Sequence, residues 1–324
     1  MKALTFSSFG GPEVLRYIEV DEPRPAAGTA IVETRAIGLN FADVYRRQGR
    51  YHLRGAPPYI AGYEAAGVVV DGDVEALRQA GLGIGSRVGF ADSPFANAER
   101  VAVAVDHLIA LPDGCGFDVA AAVLLQGLTA QYLVEDSYAV LPGDAVVVHA
   151  AAGGVGLLLT QMARLRGARV IALASSAAKR EAALATGAHA AVATGDGWTG
   201  RVREVLDGAG ADVVYDSTGS TLQDSLAVVR DKGTVVFYGM AGGDPPPVDP
   251  RVLMDRSLSL VGGDLWSWLN SASERRARAA RLLGAVAQGQ LQVRIAARVP
   301  LAEGRRAHEL LESRGTIGKI ILIP

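Results

Sequence analysis

The chain is nearly without cysteine. Cys115 is the only one in 324 residues, so neither an intrachain disulfide nor a four-cysteine zinc site can form. The expected setting is a reducing cytoplasm. Lysine is also scarce, with only Lys2, Lys179, Lys232 and Lys319. Neither sign of charge dominates: 32 Lys and Arg stand against 34 Asp and Glu, a formal charge of −2. Such a chain lacks the basic footprint of a nucleic-acid or anionic-membrane partner, and neither is expected. The longest apolar run, Ala145 to Leu159, contains His149 and three glycines and falls short of the ~20 residues that span a bilayer. The N-terminal MKALTFSSFGG has no apolar signal-peptide core. The histidines, at positions 52, 107, 149, 189 and 308, have no metal-ligand spacing, so no metal is expected.

What the chain does have is apolar content of 49% and 39 glycines, which fits a globular fold. The first 110 residues read as short strands and turns. AIVETRA (Ala30–Ala36) and AERVAVAV (Ala98–Val105) alternate apolar and polar residues as half-buried strands do. From Phe117 the pattern changes to a long helix, broken at Gly127, followed by alternating strands and helices. That alternation predicts a parallel sheet covered on both faces. Ser257–Val261 reads as a further strand, and the last segment returns to a strand-rich pattern. The expected organisation is a β-rich domain (1–120), an inserted βα domain (121–262) and a return to the first (263–324).

The most specific local signal is AVVVHAAAGGVGLLLTQMAR (Ala145–Arg164). A buried strand runs into Ala152-Gly153-Gly154-Val155-Gly156, and a helix follows at once. This is a dinucleotide-binding loop with Ala150 in place of the first glycine. Gly153 lets the backbone approach a pyrophosphate, Gly156 lets the helix pack on the strand, and the helix N-terminus offers free N–H groups. NAD enzymes usually carry an acid at the end of the second strand. Here that position holds Ser175 and Ser176, followed by Lys179 and Arg180. The missing acid removes repulsion of a 2′-phosphate and the two bases add attraction, so NADPH is the expected cofactor.

With these residues in view, the chain resembles the medium-chain dehydrogenase/reductase superfamily, and within it the zinc-free quinone oxidoreductase (zeta-crystallin-like) branch. The resemblance runs through FGGPEVL (Phe9–Leu15), GLNFADVY (Gly38–Tyr45), GDAVVVHAAAGGVGLLLTQMAR (Gly143–Arg164), DVVYDSTG (Asp212–Gly219) and ESRGTIGKIIL (Glu312–Leu322). It implies an α/β fold, a Rossmann doubly wound parallel sheet inserted in a β-rich GroES-like barrel domain. Zinc-dependent members carry Gly-His-Glu where this chain has Gly62-Tyr63-Glu64, so loss of the catalytic zinc is expected. Val192-Ala193-Thr194-Gly195 departs from the branch, which often has a tyrosine near the adenosine end.

The resemblance also implies a site. Asn40, Phe41, Asp43 and Tyr45 would lie beside nicotinamide and substrate, with Asn40 or Tyr45 donating to the acceptor oxygen. Tyr51 and Tyr63 are further hydroxyl candidates. Gln126 and Thr129, Ser217, Gly239-Met240-Ala241, Gly263-Asp264-Leu265 and Gly318-Lys319 would complete the cofactor contacts. Trp266 and Trp268 would share a face if strand-borne. Loss of zinc disfavours ordinary alcohol oxidation, and quinones or conjugated enones and enals fit better. The expected activity is NADPH-dependent quinone reduction by a homodimer paired through edge strand Ser257–Val261. The alternatives are NADPH-dependent enoyl or alkenal reduction and, in another class, a non-catalytic crystallin-like or RNA-binding protein.

Overall fold

In the computed structural model, which describes residues 1–324, the chain divides into two compact units. One is Met1–Leu128 with Leu269–Pro324, the other Thr129–Trp268. Both boundaries lie several residues beyond those the sequence suggests. The first falls inside a helix whose residues give no sign of it.

The first unit opens with β1 (Lys2–Phe6), β2 (Arg16–Glu19), β3 (Thr29–Leu39), α1 (Phe41–Arg47), β4 (Tyr59–Ile60), β5 (Glu64–Gly72), α2 (Val74–Gln79), β6 (Arg87–Ala91), β7 (Arg100–Ala104), β8 (Ile109–Ala110) and α3 (Phe117–Tyr132). The alternating run read from the sequence lies within β3, whose apolar side chains face the core. β3 is the hub of the large sheet and pairs antiparallel with β5 and β7. Leu4, Phe6, Ile37, Leu39, Val88 and Phe90 form part of the core. Helix α3 runs unbroken through Gly127, contrary to the break expected there. The side chain of Leu282 fills the space a Cβ would take, and one glycine costs a helix only about 1 kcal/mol. Extended to Ser137 by a wider last turn, this helix is long and apolar enough to cross a membrane, but 78% of its most apolar window is buried inside the fold.

The second unit contains β9 (Ala145–Val148), α4 (Gly154–Leu165), β10 (Arg169–Ala174), α5 (Ala177–Ala185), β11 (Ala190–Ala193), α6 (Trp198–Val205), β12 (Ala211–Asp216), α7 (Leu222–Val228), β13 (Val229–Phe237), α8 (Pro250–Arg256) and β14 (Ser259–Gly262). Its six strands lie in the order β11-β10-β9-β12-β13-β14, and every pairing is parallel. This is the doubly wound sheet. Val146, Val147 and Val148 are fully buried, as a central strand covered on both faces requires. The order reverses between β9 and β12, and that switch point opens a ligand crevice at the strands' carboxyl ends. The chain then returns to the first unit through α9 (Ala272–Ala287), β15 (Ile295–Pro300), α10 (Gly304–Glu312) and β16 (Lys319–Ile323). There β16 pairs with both β15 and β3.

Candidate cofactor and active site

The carboxyl end of the parallel sheet is built to receive phosphate. β9 ends at Val148, and the chain turns through Ala150, whose φ is +47°, into α4 with Gly153 at the N-cap. A Cβ on Gly156 would overlap the Ala150 carbonyl oxygen and the Ala151 backbone. Only glycine lets the helix lie this close to the strand. Gly153, Gly154 and Val155 are half-exposed at the first turn, and Ala152 is buried. The first N–H groups of such a helix have no intrahelical acceptor and, with the helix dipole, suit a pyrophosphate.

At the end of β10, Ser175 and Ser176 are exposed. The Ser176 side chain caps α5 by accepting from Lys179 N–H at 3.3 Å. Lys179 and Arg180 are half-exposed one turn further, and no acid precedes Glu181. The loops after β12 and β13 are zipped together: Ala241 N–H donates to Ser217 O at 3.0 Å and Gly242 N–H to Thr218 O at 2.7 Å. Gly239 and Met240 lie in the same seam. After β14, Gly263 N–H donates to Phe237 O. Asp264 then caps a short 3-10 turn, Leu265–Ser267, by accepting from Trp266 N–H at 3.1 Å. Ser217, Gly239–Ala241 and Gly263–Leu265 thus share one edge of the unit with the glycine loop. The tryptophans are not on a strand; Trp268 stacks on Tyr132 with ring centroids 5.9 Å apart. Thr129 is 8% exposed, and Gln126 keeps a buried Oε1 with no partner, an acceptor for an N–H donor. The cradle, the free helix end and the acid-free β10 terminus fit an NADPH cofactor.

In the first unit, α1 presents the second group of candidates. Asn40 precedes it, and the Asp43 carboxylate accepts from Asn40 N–H at 2.9 Å. The Asn40 side chain faces inward, donating from Nδ2 to Glu64 Oε2 at 2.9 Å and to Gly38 O at 3.3 Å. Its Oδ1 accepts from Lys319 Nζ at 2.7 Å. Both amide hydrogens are therefore engaged, and Asn40 has none left for a substrate oxygen. Lys319, expected beside the cofactor, is 2% exposed. Its ammonium also donates to Glu64 Oε2 at 2.7 Å, and Gly318 forms the turn into β16. Glu64 Oε1 accepts from Leu125 N–H at 2.7 Å. A Cβ on Gly38 would overlap that carboxylate, so glycine there is what admits Glu64.

A second buried ion pair lies one turn along α1. Arg46 pairs with Asp43 at 3.2 Å and donates from Nε to His52 O at 2.9 Å. Its guanidinium lies 3.4 Å from the Tyr63 ring centroid and 5.0 Å from that of Tyr51. Burial raises the Asp43 pKa, opposed by Arg46 and by the Asn40 N–H. Burial lowers that of Lys319, opposed by Glu64. Tyr63 is buried, and its hydroxyl accepts from Arg54 N–H at 3.1 Å; burial raises its pKa. The residue at the zinc-ligand position is thus an aromatic platform for Arg46. Phe41, Tyr45 and Tyr51 form an aromatic run, with centroids 6.3 and 6.4 Å apart. No three His, Cys, Asp or Glu side chains are grouped as a metal would need. The sequence gives no sign of the anchoring role of Glu64, whose partners are distant in the chain, or of Arg46, whose link to Asp43 is local but whose burial depends on the Tyr51 and Tyr63 ring faces.

Residues 26–145 match the family described as "Alcohol dehydrogenase GroES-like domain", and residues 154–285 that described as "Zinc-binding dehydrogenase". Over 327 residues the chain is 38% identical to a quinone oxidoreductase of Pseudomonas aeruginosa, covering 100% of this chain and 99% of the relative. It is 37% identical to a 2-haloacrylate reductase of a Burkholderia species, covering 97% and 96%. The solved structure of Escherichia coli quinone oxidoreductase complexed with NADPH has a TM-score of 0.95 and 34% identity, with 100% of both chains covered.

Proposed function

The chain belongs to the zinc-free quinone oxidoreductase branch of the medium-chain dehydrogenase/reductase superfamily, and on that premise we propose that it reduces quinones with NADPH. The observation that carries this reading is the phosphate cradle at β9–α4, with Lys179 and no acid between β10 and Glu181. When bound, the nicotinamide supplies the hydride. The chain's own residues bind and orient. The α4 N-terminus takes the pyrophosphate, and Lys179 takes the 2′-phosphate. Tyr45 and Tyr51 are the hydroxyls for the acceptor oxygen, where negative charge grows. Asn40 and Asp43 hold the start of α1 in place.

Fluorescence titration is expected to give tighter binding of NADPH than of NADH. Lys179→Ala should weaken NADPH about tenfold and leave NADH unchanged, the worth of one charge-assisted hydrogen bond. Stronger NADH binding by the unmodified protein would reverse the cofactor assignment. The 37% identity to a 2-haloacrylate reductase favours a second reading, reduction of an activated alkene. NADPH oxidation should be compared with 1,4-benzoquinone, 9,10-phenanthrenequinone, crotonaldehyde and 2-chloroacrylate. Turnover of the quinones is expected, and activity confined to the alkenes would replace the first reading by the second.

A homodimer is part of the proposal. Strand β14 is the edge of its sheet, and an unpaired edge is a template for a second copy. On α8, which precedes β14 in the chain, Met254 is 71% exposed. Light scattering at micromolar concentration should report twice the chain mass; a monomer would exclude the pairing.

A further inference from the structure

A buried polar relay lies directly behind the glycine loop, in residues that the proposed reaction does not use. His149 follows β9 directly, one residue before Ala150, and is 2% exposed. Its Nε2 lies 3.0 Å from Ser225 Oγ, on α7. Ser225, fully buried, donates to Asp216 Oδ2 at 2.7 Å. Asp216 ends β12, and its carboxylate accepts three further bonds: from Thr218 N–H at 2.8 Å, Gly219 N–H at 3.1 Å and Thr221 Oγ1 at 2.8 Å. Trp198 closes the pocket edge-on to His149, with centroids 5.0 Å apart.

The direction of the relay follows from the number of hydrogens. A hydroxyl has one hydrogen, and the carboxylate oxygen can only accept. Ser225 therefore gives its hydrogen to Asp216, and His149 must donate from Nε2. The bonds to Ser225 and Asp216 place that hydrogen on Nε2, and burial lowers the His149 pKa, favouring the neutral ring. One end of the relay joins the backbone at Ala150, where the phosphate cradle begins, and His149 N–H also donates to Tyr215 O. The other end holds Thr218 and Gly219, whose loop is bonded to Ala241 and Gly242. Two separate loops at the sheet's carboxyl end are thus held by one chain of hydrogen bonds.

We propose that His149, acting through Ser225 and Asp216, is a positioning residue that holds the pyrophosphate loop and the Ser217–Gly219 loop in binding geometry. This rests on the reading that the unit binds NADPH. The relay acts on pyrophosphate and not on the adenosine end, which lies at β10 and α5.

The test compares two ligands, NADPH and adenosine 2′-monophosphate, titrated by fluorescence and calorimetry. Ser225→Ala leaves the His149 Nε2–H without its acceptor, and His149→Leu removes the donor. His149→Gln keeps an N–H donor near the Nε2 position. The first two variants should weaken NADPH about tenfold, as expected when a buried partner is lost, and leave adenosine 2′-monophosphate within twofold. His149→Gln should stay within threefold of wild type for both, whereas in Ser225→Ala and His149→Leu the NADPH KM should rise with little change in kcat. Equal weakening of both ligands would mean a general loss of structure and would overturn the proposal, as would no weakening of NADPH. Should His149→Leu fail to fold, Ser225→Ala and His149→Gln decide the matter alone. If wild-type protein bound no NADPH, the cofactor reading itself would fall, and the proposal with it.

Discussion

Lys319→Met is expected to destabilise the first unit by about 3–5 kcal/mol, the usual cost of stripping one partner from a buried ion pair. The methionine keeps most of the stem and removes the charge. Glu64 would then remain buried, with Asn40 Nδ2 and Leu125 N–H as its remaining donors. Asn40 would lose the donor to its Oδ1, leaving its amide held from the Nδ2 side alone. Because Asn40 leads into α1, the damage should reach the run carrying Tyr45. A thermal midpoint lower by roughly 10 °C and a fall in kcat/KM are both expected. The double variant Lys319→Met/Glu64→Gln should recover much of the stability, since no charge is then stranded. Denaturant midpoints for the two single variants and the double variant give the coupling energy, expected at about 2 kcal/mol or more. Additive losses would mean that Lys319 and Glu64 do not act as a pair.

The sequence reveals what local periodicity controls. The alternation in Ala30–Ala36 becomes part of β3, and the apolar run before the glycine loop becomes β9, because strand pairing and burial impose a two-residue or continuous pattern. The glycine loop is legible for the same reason: its strand, turn and helix are contiguous. What stays hidden depends on distance or context. Lys319 reads as a cationic tail residue, yet its partners are 255 and 279 positions away. A lysine next to TIG carries no mark of burial. Asn40 reads as a substrate donor because its type allows it; only the positions of Glu64, Gly38 and Lys319 show that its side chain is occupied. Gly127 looks like a helix break, but packing against Leu282 outweighs its propensity. The turn at Trp266 has a local cue in Asp264, a strong cap for its N–H, which the spacing of the two tryptophans obscures.

Acid should destabilise the wild-type protein more steeply than His308→Leu. His308 lies on α10, fully buried, and neither ring nitrogen has a hydrogen-bond partner. Burial, with the Arg47 charge nearby, lowers its pKa to about 3. In the unfolded chain the ring titrates near its usual value of about 6.5. Between those two values the unfolded state takes up a proton that the folded state refuses, so stability rises with pH in that window. The contribution is complete above about pH 6.5 and is lost progressively as pH falls toward about 3. The slope approaches about 1.4 kcal/mol per pH unit, which amounts to about 2 kcal/mol between pH 7.5 and pH 5. His107, held at about 4 by burial and by Arg275, acts in the same direction, so the wild-type slope alone does not isolate His308. The difference between wild type and His308→Leu does. Urea midpoints for both proteins at pH 7.5 and 5.0 should show a gap that narrows, or changes sign in favour of the variant, at the lower pH. Parallel slopes would mean that His308 already carries a proton in the folded state or finds a partner for it. The consequence reaches α1, because Arg47 is bound to Glu312 on the same helix at 2.7 Å. A protonated His308 would set a second positive charge against Arg47 and strain the link that ties α10 to α1.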